Sequence, residues 1–189
     1  MTKVITVALA TTLLISGLSA SEVIKGSGAS FPYSVYQKWL KAYNKDTGIK
    51  VDYIKKGSSK GIKDAQERAV DFAGTDKPLS PKVLKENKLH QFPGVVGAIT
   101  MGYNVPNVKN IKLSRKAIVM IAAGQVKYWD NKVIAKDNAG VKLPHEKLTF
   151  VHRADGSGTT YNFTYYLSKV SNSWKKTYGA KKALNWPGD

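Results

Sequence analysis

The densest chemistry in the sequence lies in one stretch, His152-Arg153-Ala154-Asp155-Gly156-Ser157-Gly158-Thr159. It follows a run that reads as a strand and opens one that reads as a helix. Gly156 and Gly158 let the backbone approach a ligand closely. Free N–H groups at a helix start would point at that ligand, and the helix dipole favours negative charge there. Ser157 and Thr159 add hydroxyl donors. Arg153 supplies a planar fork suited to an oxyanion, and Asp155 can hold the fork in place by accepting its N–H groups. The bland alternative is a capped helix with a surface Arg–Asp pair, worth about 0–1 kcal/mol. The density of donors favours an anion site.

Three further Gly/Ser turns follow strand-like runs. Gly26-Ser27-Gly28-Ala29-Ser30-Phe31 has Phe31 where a dinucleotide fingerprint needs its third Gly, so the nucleotide reading is weak. Ser30 could place a hydroxyl, and Phe31 a backbone N–H, on an anion; a plain capped turn explains the motif equally well. Gly57-Ser58-Ser59-Lys60-Gly61 matches the nucleophile-elbow pattern G-x-S-x-G. A secreted serine hydrolase using Ser59, with His90, His145 or His152 as its base, is therefore the alternative of a different class. The same turn reads as a phosphate cradle with Ser58 donating. Asp76 ends Gly74-Thr75-Asp76. A carboxylate beside an anion site suits phosphate, which carries a proton near neutral pH that Asp76 can accept in a charge-assisted bond. Sulfate has no such proton and would meet an unpaired, desolvated charge. Taken alone, Asp76 would read as a turn or cap residue.

These turns need elements to hold them. Val23 to Lys25 reads as a short strand. A helix opens at Phe31-Pro32, with Val35, Trp39 and Tyr43 on one face. Ile49 to Ile54 is β-branched and alternating, a strand, followed by a helix over Ser59 to Ala69. Asp71 to Ala73 is a short strand. Ser80-Pro81 caps and starts a helix. Val95 to Tyr103 reads as a long strand, Ser114 to Ala123 as a helix, Leu148 to His152 as a strand, and the stretch from Thr159 to about Lys169 as a helix. Strand, Gly/Ser turn, helix, repeated, is an α/β chain with a largely parallel sheet. Ligands of such sheets bind beyond the carboxyl ends of the strands, where all four turns fall.

Composition narrows the classes. The 189 residues hold no Cys, which excludes disulfide scaffolds, Fe–S clusters, zinc fingers and a cysteine nucleophile. Three scattered His residues give no metal-ligand spacing, and no cofactor is implied. Lys+Arg number 30 against 13 Asp+Glu, a net charge of +17. The lysines are spread along the chain rather than clustered, which argues against a nucleic-acid footprint; a basic surface also gathers small anions. Residues 1–21 read as a signal peptide: Lys3, then uncharged Val4 to Leu18, then Ser19-Ala20-Ser21. A mature chain starting near Glu22 and a periplasmic destination are expected.

With these motifs in order, the chain resembles the periplasmic phosphate-binding proteins, the substrate-capture subunits of phosphate ABC importers. The resemblance rests on Gly26 to Pro32 (GSGASFP), Gly57 to Gly61 (GSSKG), Val70 to Ser80 (VDFAGTDKPLS), Gln91-Phe92-Pro93 and Arg153 to Thr159 (RADGSGT). It implies a type II periplasmic binding protein fold of two lobes with largely parallel sheets. Residues 22–93 would form the first lobe and 94–189 the second. It implies a non-enzymatic phosphate site with Ser30, Phe31 and Ser58 as donors and Asp76 as proton acceptor. Arg153 is the charged donor, Asp155 its partner, and Ser157, Gly158 and Thr159 lie at the helix start. The implied partners are inorganic phosphate and an inner-membrane phosphate ABC permease. Lys60 stands where the family often has Gly, and His152 where Arg is common. Family members are longer, so both lobes are expected to be incomplete. A complementary C-terminal chain, or a remnant that binds nothing, is the corresponding expectation.

Overall fold

A computed structural model describes residues 23–187; the signal segment expected at 1–21 lies outside them. Three parallel strands form the sheet: β1 (Ile24–Gly28), β2 (Val51–Lys55) and β3 (Phe72–Gly74), in the order β2-β1-β3. Helix α1 (Tyr33–Thr47) links β1 to β2, and α2 (Ser58–Gln66) links β2 to β3. Gly48 ends α1 in the left-handed conformation (φ 74°) and returns its N–H to the Asn44 carbonyl. Parallel strands require such crossovers, and the βαβ pattern expected from the sequence is present here.

From sequence the first strand is expected to end at Lys25. The strand instead runs on through Gly26-Ser27-Gly28. A Cβ on Gly26 would lie 2.3 Å from the Phe72 ring, and one on Gly28 would lie 2.2 Å from the Gly74 carbonyl oxygen. These glycines serve close approach of neighbouring chain, not a turn. Ser27 and Lys56 both donate to the Asp64 carboxylate, at 2.6 and 2.7 Å, and so fasten α2 to β1. Those bonds, Lys56 first, hold Asp64 below the ordinary carboxylate range.

The other regular elements among the described residues are helices. They are α3 (Pro81–Glu86), α4 (Arg115–Ala122), α5 (Lys132–Asp137), α6 (Gly158–Val170) and α7 (Asn172–Thr177). Ser80, Ser114, Asn131, Ser157 and Ser171 cap them, each side chain accepting a backbone N–H. One buried cluster joins Ile121, Val126, Ile134 and Leu148. A second joins Ala122, Leu167, Trp174 and Trp186, and Phe150 packs against both.

Two expected strands are absent. Val95 to Tyr103 runs exposed, with Val96 94% accessible, and pairs with no strand. Leu148 to His152 does alternate, with Leu148, Phe150 and His152 turned inward and Thr149 and Val151 outward. Beside it lies the isolated Lys147–Tyr128 bridge, and the Leu148 N–H donates to the Lys127 carbonyl at 2.8 Å. β-propensity expresses itself only where a neighbouring strand completes the ladder. The face of α1 that carries Val35, Trp39 and Tyr43 is exposed, and Tyr36 makes the contact with Tyr53. Among the described residues, no helix is long and apolar enough to cross a membrane.

Candidate functional site

Four loops meet at the carboxyl ends of the strands. The β1–α1 loop is pinned first: the Ala29 N–H donates to the Gly74 carbonyl, and the buried Tyr53 hydroxyl donates to the Ala29 carbonyl, both at 2.8 Å. This fixes Ser30, whose Oγ accepts from Arg153 Nη1 at 3.0 Å across 123 residues of sequence. The β2–α2 loop is tied to the same place, since the Lys56 and Gly57 N–H groups both donate to the Gly28 carbonyl at 2.9 Å. Gly57 has φ 84° and a Cβ there would lie 2.6 Å from Asp155 Oδ2, so only glycine fits.

The start of α6 closes on these loops. The Ser59 N–H donates to the Gly156 carbonyl at 3.1 Å. A Cβ on Gly158 would lie 2.5 Å from Ser58 Oγ and 2.6 Å from the Asp76 side chain. Ser58 and Ser157 are buried. Ser157 accepts the Thr160 N–H at 3.1 Å, which leaves its own hydroxyl proton free to donate. Arg153 is held by Asp155, through Nε to Oδ1 at 2.6 Å and through Nη2 to Oδ2. That pair raises the Arg153 pKa and holds Asp155 below the usual carboxylate range.

Asp76 sits at the centre. Its Oδ2 accepts from Thr159 Oγ1 at 3.1 Å, and its Oδ1 has a long contact of 3.5 Å with Ser58 Oγ. Burial pushes its pKa up, opposed by those hydroxyls and by the Arg153 charge. A desolvated carboxylate with few donors is set up to accept one more proton-bearing group. Asp76 and Thr159 also border a groove of about 1440 Å³ that runs past Phe31, Phe72, Val96 and Phe163. Arg68, Lys88, His90, Gln91 and Asn162 add polar and charged groups to its otherwise apolar lining.

The structure thus brings together Ser30, Ser58, Asp76, Arg153, Asp155, Ser157, Gly158 and Thr159. Phe31 is half exposed, its ring set against the backbone at Gly97. Sequence reasoning missed three supports: Tyr53, Asp64, and Asn162, whose Nδ2 donates to the Asp76 carbonyl at 3.0 Å. Asn162 lies one helical turn beyond Gly158, and that spacing was the available signal. Of the three histidines, His145 contacts Asp130 at 2.8 Å and stacks on Tyr128, His152 stacks on Trp186, and His90 lines the groove.

An α/β domain with a polar cleft between its sheet and its helical part is the class that this geometry defines. The chain belongs to the PBP superfamily, whose domain model matches residues 16–186. Among curated relatives, the phosphate-binding protein PstS of Pasteurella multocida is 41% identical over 169 residues, covering 88% of this chain and 49% of the relative. PstS of Haemophilus influenzae is 42% identical over 165 residues, covering 86% and 49%. PstS of Methanocaldococcus jannaschii is 40% identical over 177 residues, covering 88% and 46%. The chain spans about half the length of these relatives. A solved ABC-type phosphate transport receptor from Vibrio cholerae superposes with a TM-score of 0.48 at 19% identity, covering 77% of this chain and 55% of that one.

Proposed function

We propose that the chain captures inorganic phosphate in the periplasm and delivers it to an inner-membrane ABC permease, binding it without chemical change. Residues 22–93 and 94–189 act as the two lobes. The single observation that carries this reading is the Asp76 carboxylate. It is half-buried and lies beside Ser58, Thr159 and the α6 start, with Arg153 acting on it and bonded to Ser30. Hydrogen phosphate satisfies both halves of that arrangement. Its bare oxygens take N–H and O–H donors from Ser30, Phe31, Ser58, Arg153, Ser157, Gly158 and Thr159. Its P–OH proton goes to Asp76. The names of the curated relatives support the same ligand.

Asp76→Asn tests it. The substitution keeps the shape but replaces the acceptor pair with one acceptor and one donor. Phosphate affinity should fall ~10- to 100-fold, the scale of one charge-assisted hydrogen bond, and sulfate should gain. Titration calorimetry with both anions checks this. Unchanged selectivity would overturn the proton-acceptor role of Asp76.

A further inference from the structure

Asp76 follows β3, on the sheet side of the cleft, yet α6 holds it from the helical side. Thr159 and Asn162 stand three residues apart, on one face of α6. Thr159 Oγ1 donates to the Asp76 carboxylate at 3.1 Å, and Asn162 Nδ2 donates to the Asp76 carbonyl at 3.0 Å. One helix thus grips both the side chain and the main chain of one residue.

The two bonds fare differently when an anion enters. A threonine hydroxyl has a single proton. Thr159 belongs to the proposed phosphate donors, so its proton turns from Asp76 to the bound anion. Ser58, whose Oγ lies 3.5 Å from Asp76 Oδ1, makes the same exchange. Asn162 is not among those donors, and its bond to the carbonyl stays. It is then the bond that still ties Asp76 to α6. Because it joins the sheet part to the helical part, it is made as the cleft closes.

A carboxylate discriminates between anions only while it is held in place. Fixed, Asp76 accepts the P–OH proton and confronts sulfate with a charge that no proton satisfies. In a turn free to shift, the same carboxylate would swing away from sulfate toward water, and the penalty against sulfate would fade.

We infer that Asn162 is a positioning residue for anion selectivity: through the Asp76 carbonyl it locks the carboxylate in place in the closed cleft. This rests on the phosphate reading of the site.

The test uses the full chain and its Asn162→Ala and Asn162→Gln variants. Titration calorimetry gives the phosphate affinity, and competition against phosphate gives that of sulfate. In Asn162→Ala, phosphate affinity should fall about 3- to 10-fold, the scale of one hydrogen bond. Sulfate affinity should hold or rise, so the ratio of the two drops. In stopped flow, the phosphate loss should appear in dissociation, with association changed by less than about twofold. Asn162→Gln keeps an amide donor and should regain part of the ratio. Melts without ligand separate positioning from folding. Equal losses for both anions that track a lowered midpoint would leave Asn162 a purely structural role and overturn the inference. A selective parent whose Asn162→Ala variant is equally selective overturns this inference alone. A parent that does not distinguish the two anions overturns the phosphate reading, and this inference with it.

Discussion

The sheet part and the helical part of the molecule hold together by different means. The helical part buries Ile121, Ile134, Leu167, Trp174 and Trp186 in two apolar clusters. The sheet part buries little beyond Ala29, Tyr53 and Ile62, and leaves Trp39, Tyr43 and Ile54 exposed. It relies on polar fastenings instead, such as Ser27 and Lys56 on Asp64. The cleft lies where the two parts meet, and its named cross-contacts are hydrogen bonds. Arg153 meets Ser30, Thr159 meets Asp76, and Ser59 meets Gly156. Such contacts exchange readily for water, so under the proposed function the cleft opens in a hinge motion and phosphate shifts it toward closure.

The largest expected effect breaks the bridge itself. Arg153→Gln should lower phosphate affinity by ~100-fold or more, the scale of removing one partner from a buried charged contact. Titration calorimetry reads this, and the melting temperature without ligand should move little, because the apolar clusters are untouched.

The second substitution pair sharpens the contrast between the two parts. Trp174→Ala should destabilise by about 3–5 kcal/mol, since Trp174 is 2% exposed. Trp39→Ala should cost within about 0.5 kcal/mol, since Trp39 is 52% exposed. Denaturant unfolding measures both. Equal costs would mean that the α1 face is covered in solution.

Next in size is Gly158→Ala, which places a methyl group against Ser58 and Asp76. It should weaken phosphate binding by ~10-fold, through overpacking of about 1–3 kcal/mol in the closed state. The melt without ligand should stay near its original midpoint. A binding titration beside a thermal melt separates the two effects.

The smallest effect is one of pH. Asp76 has a raised pKa in the folded chain, so the native state holds its proton longer than the unfolded state as pH rises. Stability without ligand therefore falls as pH climbs above the ordinary carboxylate value of 3.8. Asp76→Asn removes that loss. It should melt slightly higher than the parent at neutral pH and no higher below that value. Melts across the acid range check the sign.

Much of the cleft was legible in the sequence because its residues sit in turns with local signatures. The Gly-Ser-Gly-Thr start of α6 and the Ser58 and Asp76 turns needed no tertiary information. The βαβ part was legible for the same reason: strand and helix periods alternate over Ile24 to Gly74. Val95 to Tyr103 was not, since β-branched residues signal a strand but cannot say whether a partner strand stands beside it. Val35, Trp39 and Tyr43 fall at helical spacing, yet spacing cannot say whether anything covers that face. Tyr53 and Asn162 were missed because their roles are second contacts, onto the Ala29 and Asp76 carbonyls, that only the folded arrangement creates.

The most direct measurement is a thermal melt of the chain with phosphate, with sulfate and with neither. A ligand that binds only the folded state raises the midpoint, by an amount that grows with the logarithm of its concentration over its Kd. The account predicts a cooperative melt that phosphate raises and sulfate leaves in place. A melt indifferent to phosphate, or raised equally by both anions, would contradict it.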